Sequence, residues 1–277
     1  SVVVAHRADR PLLSQFASSL EQRLAGSPLL SEVCPLDVAG LSDLEPELTD
    51  AFDRGIWLKA EGCLDNWGLL DALATACDGL GARWLTGQQV SCVAPGRVVA
   101  NGATHRFDAV VDARGFGAAG DVDGLRGVRG EILWVSAPEV KLSRPVRLMH
   151  PRYQLYIAPK PGGLFAIGAT QIESESSAPI TVRSSLELLS ALYSVHTGFA
   201  EAHVERSYAS CRPAFADNLP RIETADGILR INGLYRHGYL LAPAVVGSAL
   251  AHWGCESGFA PLPLHRLEGA AMAALSG

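Results

Sequence analysis

Two arginines stand in restrained settings. Arg212 precedes Pro213, and Arg236 lies between Tyr235 and His237. A guanidinium is a planar fork that takes a carboxylate through two parallel hydrogen bonds. A pair of such forks suits recognition of a small acid. The plainer alternative is two surface arginines or a structural ion pair, the commoner fate of an arginine. A second feature is Tyr153-Gln154-Leu155-Tyr156-Ile157-Ala158-Pro159, which reads as a strand. Tyr153 and Tyr156 then face opposite sides, so at most one aims its hydroxyl into a given pocket. That hydroxyl could bond a substrate carboxylate; core packing is the competing use.

Glycines supply the next signals. Gly115-Phe116-Gly117-Ala118-Ala119-Gly120 matches GxGxxG and follows a strand. A dinucleotide fingerprint also needs a helix opening on the third glycine, because the helix N-terminus holds the pyrophosphate. The residues that follow, DVDGLRGVRG, cannot make an apolar-faced helix. The match is therefore rejected as the primary dinucleotide motif. It remains either a plain turn or a place where backbone approaches a cofactor closely. The segment Gly233 to Pro243, GLYRHGYLLAP, is different. Pro243 suits the first turn of a helix running to about Gly254. That helix would aim free N–H groups and partial positive charge at whatever lies before it. An aromatic ring that becomes anionic on reduction fits this place, and a capped core helix is the alternative.

Other chemistries find little support. There is no HExxH, P-loop or GxSxG, and the eight histidines show no metal-ligand spacing, His252 and Cys255 being one weak pair. No metal is expected. Glu173 and Glu175 read as solvated. The net charge of −6 argues against nucleic acid or an anionic membrane as partner. The six cysteines, none in a CxxC pair, read as reduced cytosolic thiols. No run of ~20 apolar residues offers a membrane span. These features favour a cytoplasmic globular protein acting on a small molecule.

The elements that must hold these residues follow from periodicity and turn residues. Strands are expected at Val2–Ala5, Phe52–Leu58, Arg83–Leu85, Val90–Val93, Val98–Ala100, His105–Phe107, Ala109–Asp112, Arg129–Val135, Arg144–Met149, Leu155–Ala158, Leu164–Gly168, Val204–Ala209 and Ile228–Ile231. Helices are expected from Pro11 to Leu24, within Leu36–Glu47, from Trp67 to Cys77 capped by Asn66, and from Val182 to Tyr193 capped by Thr181. Leu186, Leu189, Leu192 and Tyr193 should share the buried face of the last. The class is α+β, with α/β pieces and chain segments that return to the same unit.

Four segments then fall in one order. They are Val110–Ala118, Val128-Arg129-Gly130-Glu131, Tyr156–Lys160 with Ile167–Thr170, and Arg212-Pro213 with Tyr235–Gly238. Together they resemble the glycine/D-amino-acid oxidase superfamily of FAD enzymes, most of all its thiamine-pathway glycine oxidase branch in bacteria. The resemblance covers nearly the whole chain. It implies a D-amino-acid-oxidase-like fold: a large mixed-sheet substrate domain plus part of a Rossmann-like FAD domain. On it, residues 1–80 form a substrate-domain edge strand and helices partly shared with the FAD domain. Residues 81–125 and 211–277 are FAD-domain segments, and 126–210 are the substrate-binding domain.

The resemblance also assigns roles. Arg212 binds the substrate carboxylate, Arg236 lies beside the flavin, and Tyr156 lines the substrate pocket, with Lys160 where arginine is usual. Gly115 and Gly117, with Arg114, form the second FAD-contact loop, and Val90 meets the adenine through its backbone. Gly233, Tyr235, His237, Gly238, Tyr239 and Leu240 surround the flavin pyrimidine edge. The implied reaction is oxidation of glycine or a similar small amine to an imine, then glyoxylate and ammonia, with dioxygen reduced to hydrogen peroxide. A homo-oligomer is compatible with the branch. The family's opening strand–GxGxxG–helix unit has no counterpart before Val2, so the expectation is a chain lacking its first βαβ unit. Two alternatives stand beside the oxidase: a related FAD enzyme acting on a tRNA base, which the charge disfavours, and a flavin-free remnant.

Overall fold

The computed structural model describes residues 1–152, 155–225, 227–252 and 254. Tyr153, Gln154, Cys255, His265 and the segment 255–277 of the expected C-terminal FAD portion lie outside the described residues. In chain order the strands are Val2–Ala5 (β1), Val33–Leu36 (β2), Gly55–Leu58 (β3), Val90–Ala94 (β4), Arg97–Ala100 (β5), Ala103–Arg106 (β6), Val110–Asp112 (β7), Arg126–Ser136 (β8), Val146–Met149 (β9), Leu155–Lys160 (β10), Leu164–Gly168 (β11), Ile172–Glu173 (β12), His203–Ala214 (β13), Arg221–Ala225 (β14) and Ile228–Asn232 (β15). The α-helices are Arg10–Arg23 (α1), Val38–Leu44 (α2), Asn66–Gly79 (α3), Val182–Val195 (α4) and Gly238–Ala251 (α5). They form two units, one of 1–82, 130–171 and 178–209, the other of 83–129, 172–177 and the described residues from 210 onward.

The first unit is built on a mixed sheet in the order β8-β11-β10-β9-β1-β3-β2. Its one parallel pair among the described registers is β1 with β9. All four residues of β1 are buried, because the strand sits inside the sheet and is covered on both faces. Such a strand reads as an unbroken β-branched run. Val2 and Val4 join the main core with Leu133, Val135, Leu148, Ile157, Phe165 and Ile167, against Leu188, Leu192 and Val195 of α4. Each fully buried Ile or Phe there contributes ~1.5–3 kcal/mol. Val3 and Ala5 face the other way, onto Leu13, Phe16 and Leu20 of α1. Thr181 caps α4, its Oγ1 accepting from the Ser184 N–H at 3.1 Å.

The second unit carries two small sheets. In one, β15 lies between β14 and β7, antiparallel to the first and parallel to the second. Helix α5 covers it, Val245 and Ala249 meeting Ile222 and Leu229. The other is the meander β4-β5-β6. Strand β12 pairs with the Val128–Arg129 end of β8.

Several expectations need correction. Arg83–Leu85 is not a strand; Trp84 and Leu85 are exposed there. Strand β2 escaped notice because Pro35 interrupts its apolar run, and it occurs at the sheet's edge, where a strand tolerates proline. Asn66 is the first helical residue of α3, whose N-cap is Asp65 without a side-chain hydrogen bond. The buried face of α4 is turned from the expected one: Ser184, Leu188, Ala191, Leu192 and Val195 are buried, while Leu186 and Tyr193 are exposed. Helix α5 begins at Gly238, so Pro243 is inside it rather than in its first turn. The missing N–H of Pro243 removes one helical bond, to the Tyr239 carbonyl.

Candidate functional site

Asn232, buried at the end of β15, draws distant segments of the second unit together. Its Nδ2 donates to the Gly115 carbonyl at 2.9 Å, and its Oδ1 accepts from the Gly233 N–H at 2.8 Å. Three residues on, the Tyr235 N–H donates to the Pro213 carbonyl at 3.1 Å. Those bonds tie the glycine turn after β7, the Arg212-Pro213 end of β13 and the turn bearing Arg236 into one place. The side chains of Arg212 and Arg236 project from neighbouring backbone, Arg212 half-buried and Arg236 exposed. Asn232 carried no role in the sequence reading. Its signal was a polar side chain at the end of an apolar strand, just before a glycine.

The backbone here is shaped for close approach. Gly233 has φ +75°, and a Cβ on it would lie 2.4 Å from the Phe215 ring. Phe215 is buried beneath it, with the Arg221 guanidinium 3.9 Å from the centre of its ring. Gly115 has φ +57° and faces Pro213. The turn Gly115–Ala118 is a short 3₁₀ helix that leads into β8 rather than into an α-helix, in accord with rejecting GxGxxG as a fingerprint. Gly117 is exposed in it.

Arg114 is engaged within this loop. Its guanidinium holds both oxygens of Asp112 and also reaches Asp121. Those bonds commit its Nε and Nη2 within the loop. Val90 begins β4 and packs beside Val93, Val110 and Ile228.

Helix α5 opens next to the Asn232 cluster. No side chain caps it; His237 is the N-cap residue and makes no such bond. The first turn of a helix has N–H groups without helical partners. Here that turn is Gly238-Tyr239-Leu240, with Tyr239 47% and Leu240 79% exposed. Tyr235 holds a positive φ of 51°, unusual for a residue with a side chain.

Tyr156 belongs to the first unit. On β10 it stands opposite Gly168 of β11 and Arg147 of β9, on the sheet face away from the main core. Ala158 and Ala166 follow in the next row, so the small residues on this face lie on β10 and β11, with Ile132 and Trp134 of β8 beyond them. Nearby, buried Glu131 accepts from the Thr170 hydroxyl at 3.0 Å and from the Thr181 N–H at 3.3 Å. Lys160 points its ammonium at the Leu64 carbonyl, 2.9 Å away. Glu173 and Glu175 are not simply solvated: the first pairs with Arg126 and the second accepts from the Gly127 N–H. Among the described residues no acidic, His or Cys cluster could hold a metal, and no helix is long and apolar enough to cross a membrane. Cys34, Cys63, Cys77, Cys92 and Cys211 are free.

Known proteins agree with this architecture. The model of the DAO family, FAD dependent oxidoreductase, matches residues 1–253. A protein of Rhizobium etli named "Putative thiamine biosynthesis oxidoreductase ThiO" is 41% identical over 258 residues, 93% of this chain and 72% of the relative. Among solved structures, glycine oxidase from Geobacillus kaustophilus superposes with a TM-score of 0.78 at 23% identity, over 97% of this chain and 74% of its own. Iminodiacetate oxidase from Chelativorans sp. BNC1 does so with a TM-score of 0.79 at 22% identity, over 97% of this chain and 76% of its own. The large mixed sheet, the smaller α/β layer and the sequence matches together place the chain in the DAO family of FAD-dependent oxidoreductases.

Proposed function

We propose that the chain carries the flavin-ring and substrate-binding portions of an FAD-dependent oxidase of glycine or a similar small amine. The substrate leaves as an imine, which water converts to glyoxylate and ammonia, and dioxygen leaves as hydrogen peroxide. The setting we favour is thiamine biosynthesis in the cytoplasm, in keeping with the name of the Rhizobium etli relative. The observation that carries the reading is the Asn232 junction, which joins the Gly115 turn and the Gly233 turn where the resemblance expects a flavin.

The residues present suit that group. The Gly115 turn and the Gly233 turn are held together by Asn232, and the uncapped first turn of α5 offers N–H donors beside exposed Tyr239 and Leu240. Donors at a helix N-terminus favour a ring edge that gains negative charge. Gly115, Gly117, Gly233, Tyr235, His237, Gly238, Tyr239 and Leu240 would hold the ring side of FAD, Arg114 its neighbourhood, and the backbone of Val90 the adenine. When bound, FAD supplies acceptance of a hydride from the substrate α-carbon.

The chain's own residues then bind and orient. Arg212 takes the substrate carboxylate as a bidentate partner, and Arg236 adds positive charge beside the flavin. The resemblance gives Tyr156 a place in the substrate pocket, where its hydroxyl suits a carboxylate. No general base is needed if the amine arrives neutral. The test is direct: the full-length flavoprotein, supplied with glycine or sarcosine, should consume oxygen and form peroxide in equal amounts. A flavin-loaded protein that oxidises no small amine would overturn the reading.

A further inference from the structure

Tyr156 and Gly168 face each other across the antiparallel pair β10–β11, and Ile132 stands opposite Gly168 on β8. A Cβ at residue 168 would lie 2.6 Å from the Tyr156 Oη, 2.7 Å from its Cζ and 2.9 Å from Ile132 Cγ2. The hydroxyl end of the phenol therefore lies over the bare backbone of Gly168, and Ile132 Cγ2 borders the same space. Gly168 is no turn residue. It ends a strand whose other four residues are apolar or alanine, and its φ lies outside the left-handed region. Glycine weakens a strand, and in such a place it commonly marks a close approach. Here the approaching group is the Tyr156 ring.

We infer that Gly168 is a positioning residue for Tyr156. Its missing side chain fixes the height of the hydroxyl above the sheet, and Ile132 limits how far the ring can slide. The inference rests on the substrate role given to Tyr156 above, and adds what holds that hydroxyl in place. With alanine at 168 the 2.6 Å approach would have to open toward the 3.4 Å at which ordinary contact begins. A displacement of ~1 Å at a binding group can cost ~100-fold.

The experiment uses the full-length flavoprotein and acetate, a carboxylate without an amine, whose binding is read from the flavin absorbance. Gly168→Ala should raise the acetate Kd and the KM for glycine by about 10- to 100-fold, with a smaller change in kcat. In a Tyr156→Phe background the same alanine should change the acetate Kd less than about twofold, since no hydroxyl remains to misplace. Equal effects in the two backgrounds, or an unchanged Kd in Gly168→Ala, would overturn the inference. If Gly168→Ala does not fold, Gly168→Ala/Tyr156→Ala/Ile132→Ala should, because both obstructing groups are then gone; failure of that variant also overturns it. An unchanged acetate Kd in Tyr156→Phe alone sinks the substrate role of Tyr156. The packing relation would then be read from unfolding temperatures, lowered by Gly168→Ala and restored by adding Tyr156→Ala with Ile132→Ala.

Discussion

Arg114 grips Asp112 with two arms of its guanidinium, Nε donating to Oδ1 at 2.9 Å and Nη2 to Oδ2 at 2.8 Å. The Arg114 backbone N–H adds a third bond to Oδ1, and Arg230 Nε lies 3.7 Å from Oδ2. Burial alone would push the carboxyl up, but the Arg114 hydrogen bonds and charge, with Arg230 behind, outweigh it and hold Asp112 below the usual carboxylate range. This clamp fixes the end of β7 from which the Gly115 turn springs. Asp112→Asn should therefore destabilise the protein by about 1–3 kcal/mol, because the carboxylate's paired, charge-assisted bonds are lost while Arg114 keeps Asp121. The pH dependence has a definite sign. A depressed carboxyl contributes stability that is complete above its unfolded value, ~3.9, and is lost as pH falls through the folded value. Urea unfolding of both proteins should show their difference shrinking below about pH 4. A difference that stays constant down to pH 2 would refute the clamp.

Gly233 presents a second test. A side chain there meets Phe215 at 2.4 Å and must adopt φ +75°. The conformational strain is ~1–3 kcal/mol, and overpacking against a buried ring adds a similar amount. Gly233→Ala should lower stability by about 2–4 kcal/mol on these grounds. It should also weaken flavin retention after desalting, because the Asn232–Gly115 bond shares the same turn. Full retention by a folded Gly233→Ala protein would separate this turn from the cofactor.

How much of this was legible in the sequence depended on whether the signal was local. Strands β1, β10 and β11 and the Thr181 cap were readable because burial and capping write themselves into neighbouring residues. The strand β13 was read only to Ala209, yet it continues to Ala214 and carries Arg212. Cys211-Arg212-Pro213 has no alternation to announce a strand, and its pairing partners are distant. The face of α4 was misjudged because Leu186 and Tyr193 are apolar but exposed, and only tertiary packing makes Ser184 buried. At the candidate site the arginines and glycines were visible as residue types. Asn232 was not, because its purpose is a bond to Gly115 across 117 residues of chain.

His6 predicts a pH effect at milder values. Its ring stacks on Phe52 with centroids 4.9 Å apart, and Nε2 lies 3.0 Å from the Ser194 hydroxyl. Burial pushes its pKa down; Asp9 opposes this and His150 assists it. The folded protein thus favours the neutral imidazole. Stability is complete above the unfolded value, ~6.5, and declines as pH falls from there toward the lowered folded value. Thermal unfolding at pH 7.5 and 5.5 should show this decline, and His6→Gln should flatten the part that His6 causes. An identical slope in the variant would remove His6 from the account.

The two arginines can be told apart from each other and from mere structural cations. Arg212 and Arg236 arise from backbone joined through the Tyr235–Pro213 bond. Lysine keeps the charge but loses the fork, and with it one of two parallel bonds to a carboxylate. A hydrogen bond to a charged group contributes ~1.5–3 kcal/mol, so Arg212→Lys should raise the KM for glycine by about 10- to 150-fold. Flavin affinity should stay unchanged, because residue 212 is assigned to the substrate. Arg236→Lys should raise KM less, since beside the flavin a positive charge matters more than a fork. Steady-state kinetics with parallel flavin titration separates the cases. If Arg212→Lys loses flavin while KM stays constant, Arg212 serves the cofactor, and the carboxylate must be bound by other residues.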